Sequence, residues 1–153
     1  MTRVDDTVLH ELVQLAKSSR NELAKELAKV DLYIGQEQVL LALWRHDGLS
    51  QAELAERVQA VPPTVTKMLQ RMERGGLVRR ERADGRGRVS RVFLTEAGRA
   101  LRADIERLWA VVESRLTARL DDRERAALRH LLRKAHGRTE PATMSGMVDY
   151  PAN

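Results

Sequence analysis

Residues Ser50 to Gly98, SQAELAERVQAVPPTVTKMLQRMERGGLVRRERADGRGRVSRVFLTEAG, decide the fold. Ser50 stands where a helix N-cap belongs, Glu53 completes the capping pattern three residues later, and Leu54, Ala55 and Val58 give the helix an inner face. After Gln59-Ala60-Val61, Pro62 and Pro63 open a second helix, because the first helical positions have no intrahelical use for an N–H. That helix is expected to run to about Arg74 and to end at Gly75-Gly76. Its spacing turns Val61, Val65, Met68, Leu69 and Met72 inward and leaves Thr64, Lys67, Gln70 and Arg71, with Thr66, on a polar face. Two short strands follow, Leu77 to Arg82 and Ser90 to Leu94, joined by the turn-rich segment Ala83-Asp84-Gly85-Arg86-Gly87-Arg88. Helix, turn, helix and basic hairpin in this order predict a winged helix-turn-helix.

Outward from this module the chain is helical. Leu9, Leu12, Val13, Ala16, Leu23, Leu27 and Val30 recur at helical spacing between Asp6 and Val30, predicting a long amphipathic helix. From Gln36 to His46 the run VLLALW is apolar nearly all round, as in a central helix, and Asp47-Gly48 stops it. Downstream, Thr95 caps a long helix with Leu101, Ile105, Leu108, Val112 and Leu116, and Asp121-Asp122 opens a last one that Gly137 closes. The fold class is therefore mainly α with a small β-hairpin wing, flanked by N- and C-terminal dimerisation helices. One domain is expected over residues 1–137, with its core at about 36–98, dimerisation helices at 6–30 and 99–137, and a flexible tail at 138–153. The outer helices carry more apolar surface than so small a module covers, which points to a homodimer.

Composition narrows the chemistry. With no cysteine the chain has no disulfide, thiolate metal site or thiol sensor. No apolar run approaches the roughly 20 residues of a membrane span, and the N-terminus lacks the layout of a signal peptide, so a cytoplasmic protein without a membrane partner is expected. His10, His46, His130 and His136 fall on separate predicted helices without metal-motif spacing. There is no nucleophile elbow, phosphate-binding glycine loop or matched acid–base pair, so neither an enzyme, a metal nor a cofactor is expected.

The net charge of +5 is concentrated. Residues 50–95 hold ten Lys and Arg against five acids, an excess of five that accounts for the whole difference between 27 basic and 22 acidic residues. Six arginines, Arg79, Arg80, Arg82, Arg86, Arg88 and Arg91, lie on the hairpin against Glu81 and Asp84 alone, a crowding that phosphate would relieve. Thr and Gln hydrogen-bond base edges, Arg grips guanine O6 and N7, and Lys67 suits a phosphate. Glycines flanking Arg86 leave room for that side chain in the minor groove. An exposed helix in any protein shows such a face, and a charged hairpin can be a defended sheet edge. Helix and wing side by side favour duplex DNA, because each supplies a different half of its recognition.

With Gln36 and VLLALWRHDGLS, then SQAELAERV, TVTKMLQRMERGGLV and VFLTEAGRAL, the chain resembles the MarR family of transcriptional regulators from about Val8 to Gly137. The resemblance implies an intertwined dimer whose winged modules bind the halves of a pseudopalindromic operator, usually to repress transcription. It puts Thr64, Thr66, Lys67, Gln70 and Arg71 on the recognition helix, Ser50 near phosphate, and Arg88 at the wing arginine, with Arg86 and Arg91 beside it. Where relatives usually carry an Asp two residues before that arginine, this chain has Arg86, so either Asp84 substitutes as the brace through a shifted turn, the favoured reading, or the wing is more mobile and more basic. The resemblance further implies release of DNA by a small, often aromatic or phenolic effector. Leu12, Ala16, Tyr33, Trp44 and Trp109 are candidates to line its site, although core packing also explains each of them. The alternative function is a winged-helix protein–protein interaction module without specific DNA binding.

Overall fold

The computed structural model describes residues 3–82 and 89–137. A 3-10 turn, Val4–Asp6, leads into α1, Val8–Leu27, which Thr7 caps by accepting the N–H of His10. A second 3-10 turn, Ala28–Val30, joins it to α2, Gln36–Arg45. Then come β1, Leu49–Ser50, α3, Gln51–Val58, α4, Pro62–Arg74, β2, Val78–Arg82, and β3, Ser90–Leu94. Three helices complete the order: α5, Glu96–Ala100, α6, Arg102–Leu116, and α7, Asp122–Ala135. The molecule is mostly helical with one small antiparallel sheet, as its sequence predicts.

The chain divides into two compact units, residues 1–113 and 114–153. In the first, Leu27, Val39, Leu40, Leu43, Leu54, Val65, Leu69, Met72, Val78, Val92 and Ile105 are almost completely buried. Each such side chain contributes about 1.5–3 kcal/mol relative to exposure, so α2, α3, α4 and the sheet are held mainly by these aliphatics. In the second unit, Asp121 and Glu124 form a reciprocal capping box at the start of α7. No residue of α7 is buried, and Leu131 and Leu132 remain open.

The sheet has a strand that the sequence pattern does not announce. β1 pairs with β3 through Leu49↔Val92 and Ser50↔Arg91, on the side opposite β2, giving the order β1-β3-β2. Two residues are too few for an alternating pattern to emerge. The expected long helix after Thr95 is also interrupted, at Leu101, where ψ is −11°. There the Trp44 indole N–H donates to the Gly98 carbonyl at 3.1 Å, competing for the acceptor that an unbroken helix gives to the N–H four residues on. Thr95 holds the same turn from the other side, donating its hydroxyl to Gly76 O at 2.5 Å and its N–H to Leu77 O at 3.1 Å.

Candidate nucleic-acid interface

α3 and α4 are set at their angle by sequence-encoded ends. Ser50 caps α3 by accepting the Glu53 N–H at 3.2 Å, while the Glu53 carboxylate accepts the Ser50 N–H at 2.7 Å. Those bonds from Ser50, with Arg91 and Arg57 nearby, hold the Glu53 carboxyl below its ordinary value. Gln59 ends the helix in a left-handed conformation, φ 53°, which Gln tolerates less well than Gly. The chain then re-enters a helix at Pro62.

Val65, Leu69 and Met72 bury the inner face of α4 as its spacing predicts, but Val61 does not join them. It is the extended N-cap, 64% exposed, because the prolines after it start the helix one residue too late for its side chain to reach the core. On the outer face Thr64, Lys67, Gln70 and Arg71 are all exposed. Thr66 is half-buried and committed inward: its hydroxyl donates to Pro62 O at 3.0 Å and accepts the side-chain amide of Gln51. Gln51, which the sequence gives no reason to single out, thereby locks α4 onto α3.

Arg71 has a neighbour from outside the module. Its guanidinium lies 5.3 Å from the ring centroid of Tyr33, in the loop between α1 and α2. Tyr33 is itself 65% exposed and contacts α4 through Arg71. Of the other effector-site candidates, Trp44 is half-buried against the core and bonded to Gly98, whereas Leu12, Ala16 and Trp109 are exposed.

The described strands correct the expectation of uncompensated wing charge. Arg79 pairs with Glu81 and lies 5.0 Å from the Phe93 centroid. Arg80 faces the Glu73 carboxylate at 3.3 Å, an ion pair without the alignment of a hydrogen bond. Arg91 donates to Gly48 O at 2.7 Å and sits 3.9 Å from Glu53, so this proposed DNA contact braces β1 and the start of α3. Asp47, which the sequence marks only as a helix stop, is a further brace. One carboxylate oxygen accepts the N–H groups of Gly48 and Leu94, and the other accepts from Arg99 at 2.7 Å. Arg86, Arg88 and Asp84 lie outside the described residues. Among the described residues, no group of three or more His, Asp or Glu could hold a metal ion, and no helix is long and apolar enough to cross a membrane.

Comparison with known proteins agrees with this geometry. The MarR family model matches residues 32–89. The regulator TtmR of Methylorubrum extorquens is 36% identical over 126 residues, covering 82% of this chain, which in turn spans only 63% of that protein's length. The transcriptional regulator HosA of Escherichia coli is 32% identical over 125 residues, covering 82% of this chain and 91% of HosA. Among solved structures, the MarR family protein Rv2887 of Mycobacterium tuberculosis in complex with salicylic acid superposes with a TM-score of 0.70 and 27% identity, covering 86% of this chain and 98% of the other. A mutant MarR from E. coli complexed with operator DNA has the same fold, with a TM-score of 0.77, 24% identity and coverage of 88% and 99%. TtmR and HosA are both regulators of transcription. On its winged helix-turn-helix, its family-model match and its identity to HosA, the chain belongs to the MarR family.

Proposed function

We propose that the protein is a homodimeric, sequence-specific DNA-binding repressor whose α4 enters the major groove. The observation that carries this reading is the exposed row Thr64, Lys67, Gln70 and Arg71 on a helix whose opposite face is locked into the core. Thr64, Gln70 and Arg71 read base edges, Lys67 meets phosphate, and Ser50 approaches the backbone at the start of α3. Thr66 contributes its methyl, since its hydroxyl is engaged. Arg86 and Arg88 reach from the wing beside the helix, with Asp84 as their brace, while Arg91 acts through β1.

Dimerisation covers the apolar side chains that α1 and α7 each expose, among them Leu9, 69% exposed, and Leu131, 59% exposed. The functional domain in this reading is residues 1–137. A small aromatic acid is the effector class of choice, because Rv2887 is solved with salicylic acid and this chain carries Tyr33 beside α4. Binding better to one placement of the two recognition helices, the effector shifts the population and releases DNA. Use of the module for protein contacts would call for an apolar α4 face in place of this polar one.

The test is titration of the DNA upstream of the protein's own gene against random duplex at moderate salt. A preference of about 10³-fold or more is expected, and equal binding rejects the reading. Arg88→Ala is expected to weaken binding and to reduce the salt slope by about one.

A further inference from the structure

An exposed tyrosine on a loop is ordinarily free to turn, but the backbone at Tyr33 is held from both sides. Its N–H donates to Gln36 Oε1 at 2.9 Å and its carbonyl accepts the Gln36 N–H at 3.1 Å, with the Gln36 side chain buried. Two residues on, the Gly35 N–H donates at 2.6 Å to the buried carboxylate of Glu37. Gly35 adopts φ +98°, and a Cβ built there would stand 2.9 Å from Met68 Cε. The positive φ favours glycine here, the Met68 methyl being the movable end of a flexible side chain, and Met68 lies one turn before Arg71. Two buried polar side chains and one glycine therefore hold the backbone that carries a ring which is itself 65% exposed.

What the ring faces gives this arrangement a use. An Arg stacked on an aromatic face spends none of its N–H donors, because all five lie in the guanidinium plane and the stacking uses the surface above it. Those in-plane donors are the ones that engage guanine O6 and N7. A free Arg side chain would lose rotamer entropy on being held for that contact, part of which the contact with Tyr33 removes in advance.

We propose that Tyr33 is a positioning residue for base recognition, its ring holding the Arg71 guanidinium, 5.3 Å away, in the plane in which it hydrogen-bonds a guanine. The inference rests on α4 being the recognition helix, and it assigns to a residue outside the helix-turn-helix a share of that helix's specificity.

The experiment uses the full chain and a duplex that it selects from a randomised pool. Tyr33→Phe keeps the ring and retains affinity, whereas Tyr33→Leu loses about two- to fivefold, the range for an exposed cation–π contact. In an Arg71→Ala background the Tyr33→Leu loss vanishes. Replacing single guanines by deazaguanine, which lacks the N7 acceptor, gives the readout that a structural role would not move. At one position per half-site the wild type pays a penalty that shrinks in Tyr33→Leu and disappears in Arg71→Ala. If Tyr33→Leu binds as the wild type does, or weakens binding equally without Arg71, the positioning role is overturned while recognition by α4 stands. If the wild type selects no sequence, the recognition role of α4 fails and the proposal with it.

Discussion

The side-chain amide of Gln51 donates to the hydroxyl of Thr66, which donates in turn to the carbonyl of Pro62, so one hydroxyl joins the two helices of the helix-turn-helix and closes the first turn of the second. Thr66→Val is isosteric but leaves the half-buried Gln51 amide and Pro62 carbonyl without this partner. It is expected to cost about 0.5–1.5 kcal/mol in denaturant unfolding, with Thr66→Ser close to wild type. Equal stability of the two variants would mean that the hydroxyl does not brace the module.

Gly98 and Gly75 separate two reasons for a glycine. A Cβ at Gly98 would run into the Leu77 carbonyl, backbone that Thr95 and β2 hold in place, whereas one at Gly75 would lie 3.4 Å from Arg71 O at a φ of −77°. Gly98→Ala is expected to lose about 1–3 kcal/mol or more, the cost of overpacking. Gly75→Ala is expected to change stability by less than about 1 kcal/mol. The two denaturation midpoints, measured side by side, check this.

Two carboxylates oppose each other in their response to pH. Burial raises the Glu37 carboxyl above its ordinary value of 4.5, despite the Gly35 N–H, the Gln38 amide and the charge of Arg20. Because the folded state holds that proton more tightly, the stability it contributes is present below pH 4.5 and is lost as pH rises through the raised folded value. Glu53, lowered by its bonds to Ser50, contributes stability above 4.5 that is lost as pH falls through its depressed folded value. Glu37→Gln is therefore expected to be at least as stable as wild type at neutral pH, with the gain gone in acid. Glu53→Gln is expected to be less stable at neutral pH, with the deficit closing in acid. Urea unfolding across this range checks both signs.

On α1, Val8, Leu9 and Val13 are 85%, 69% and 54% exposed, too much apolar surface for a helix that faces water. The double variant Leu9→Glu with Val13→Glu is expected to sediment as a monomer and to lose most of its operator affinity, because half-sites then bind singly. An unchanged dimer mass would remove α1 from the interface.

Much of the module was legible in the sequence because its signals are local. Ser50 with Glu53, Pro62-Pro63 and Gly75-Gly76 fix the ends of α3 and α4, and the buried series Val65, Leu69, Met72 follows the helical repeat. What escaped depends on contacts between distant segments. β1 exists only because Leu49 and Ser50 meet Val92 and Arg91. The break at Leu101 goes with Trp44, 54 residues from its acceptor Gly98. The excess charge of the segment stands, but the sequence did not show that Glu73 and Glu53, from outside the hairpin, stand beside Arg80 and Arg91. The family resemblance offers Tyr33 as an effector-site candidate, but its contact with Arg71 brings together positions 38 apart, which no periodicity encodes.

The measurement that bears most directly on the proposed function is a footprint of the full chain on the duplex it selects. Two protected half-sites related by a dyad, about 10 base pairs centre to centre, are expected for two copies of α4 in successive major grooves. Protection should vanish when Gln70 and Arg71 are both replaced by Ala. A single uninterrupted protection without dyad symmetry, or a footprint that survives loss of both side chains, would contradict recognition by α4.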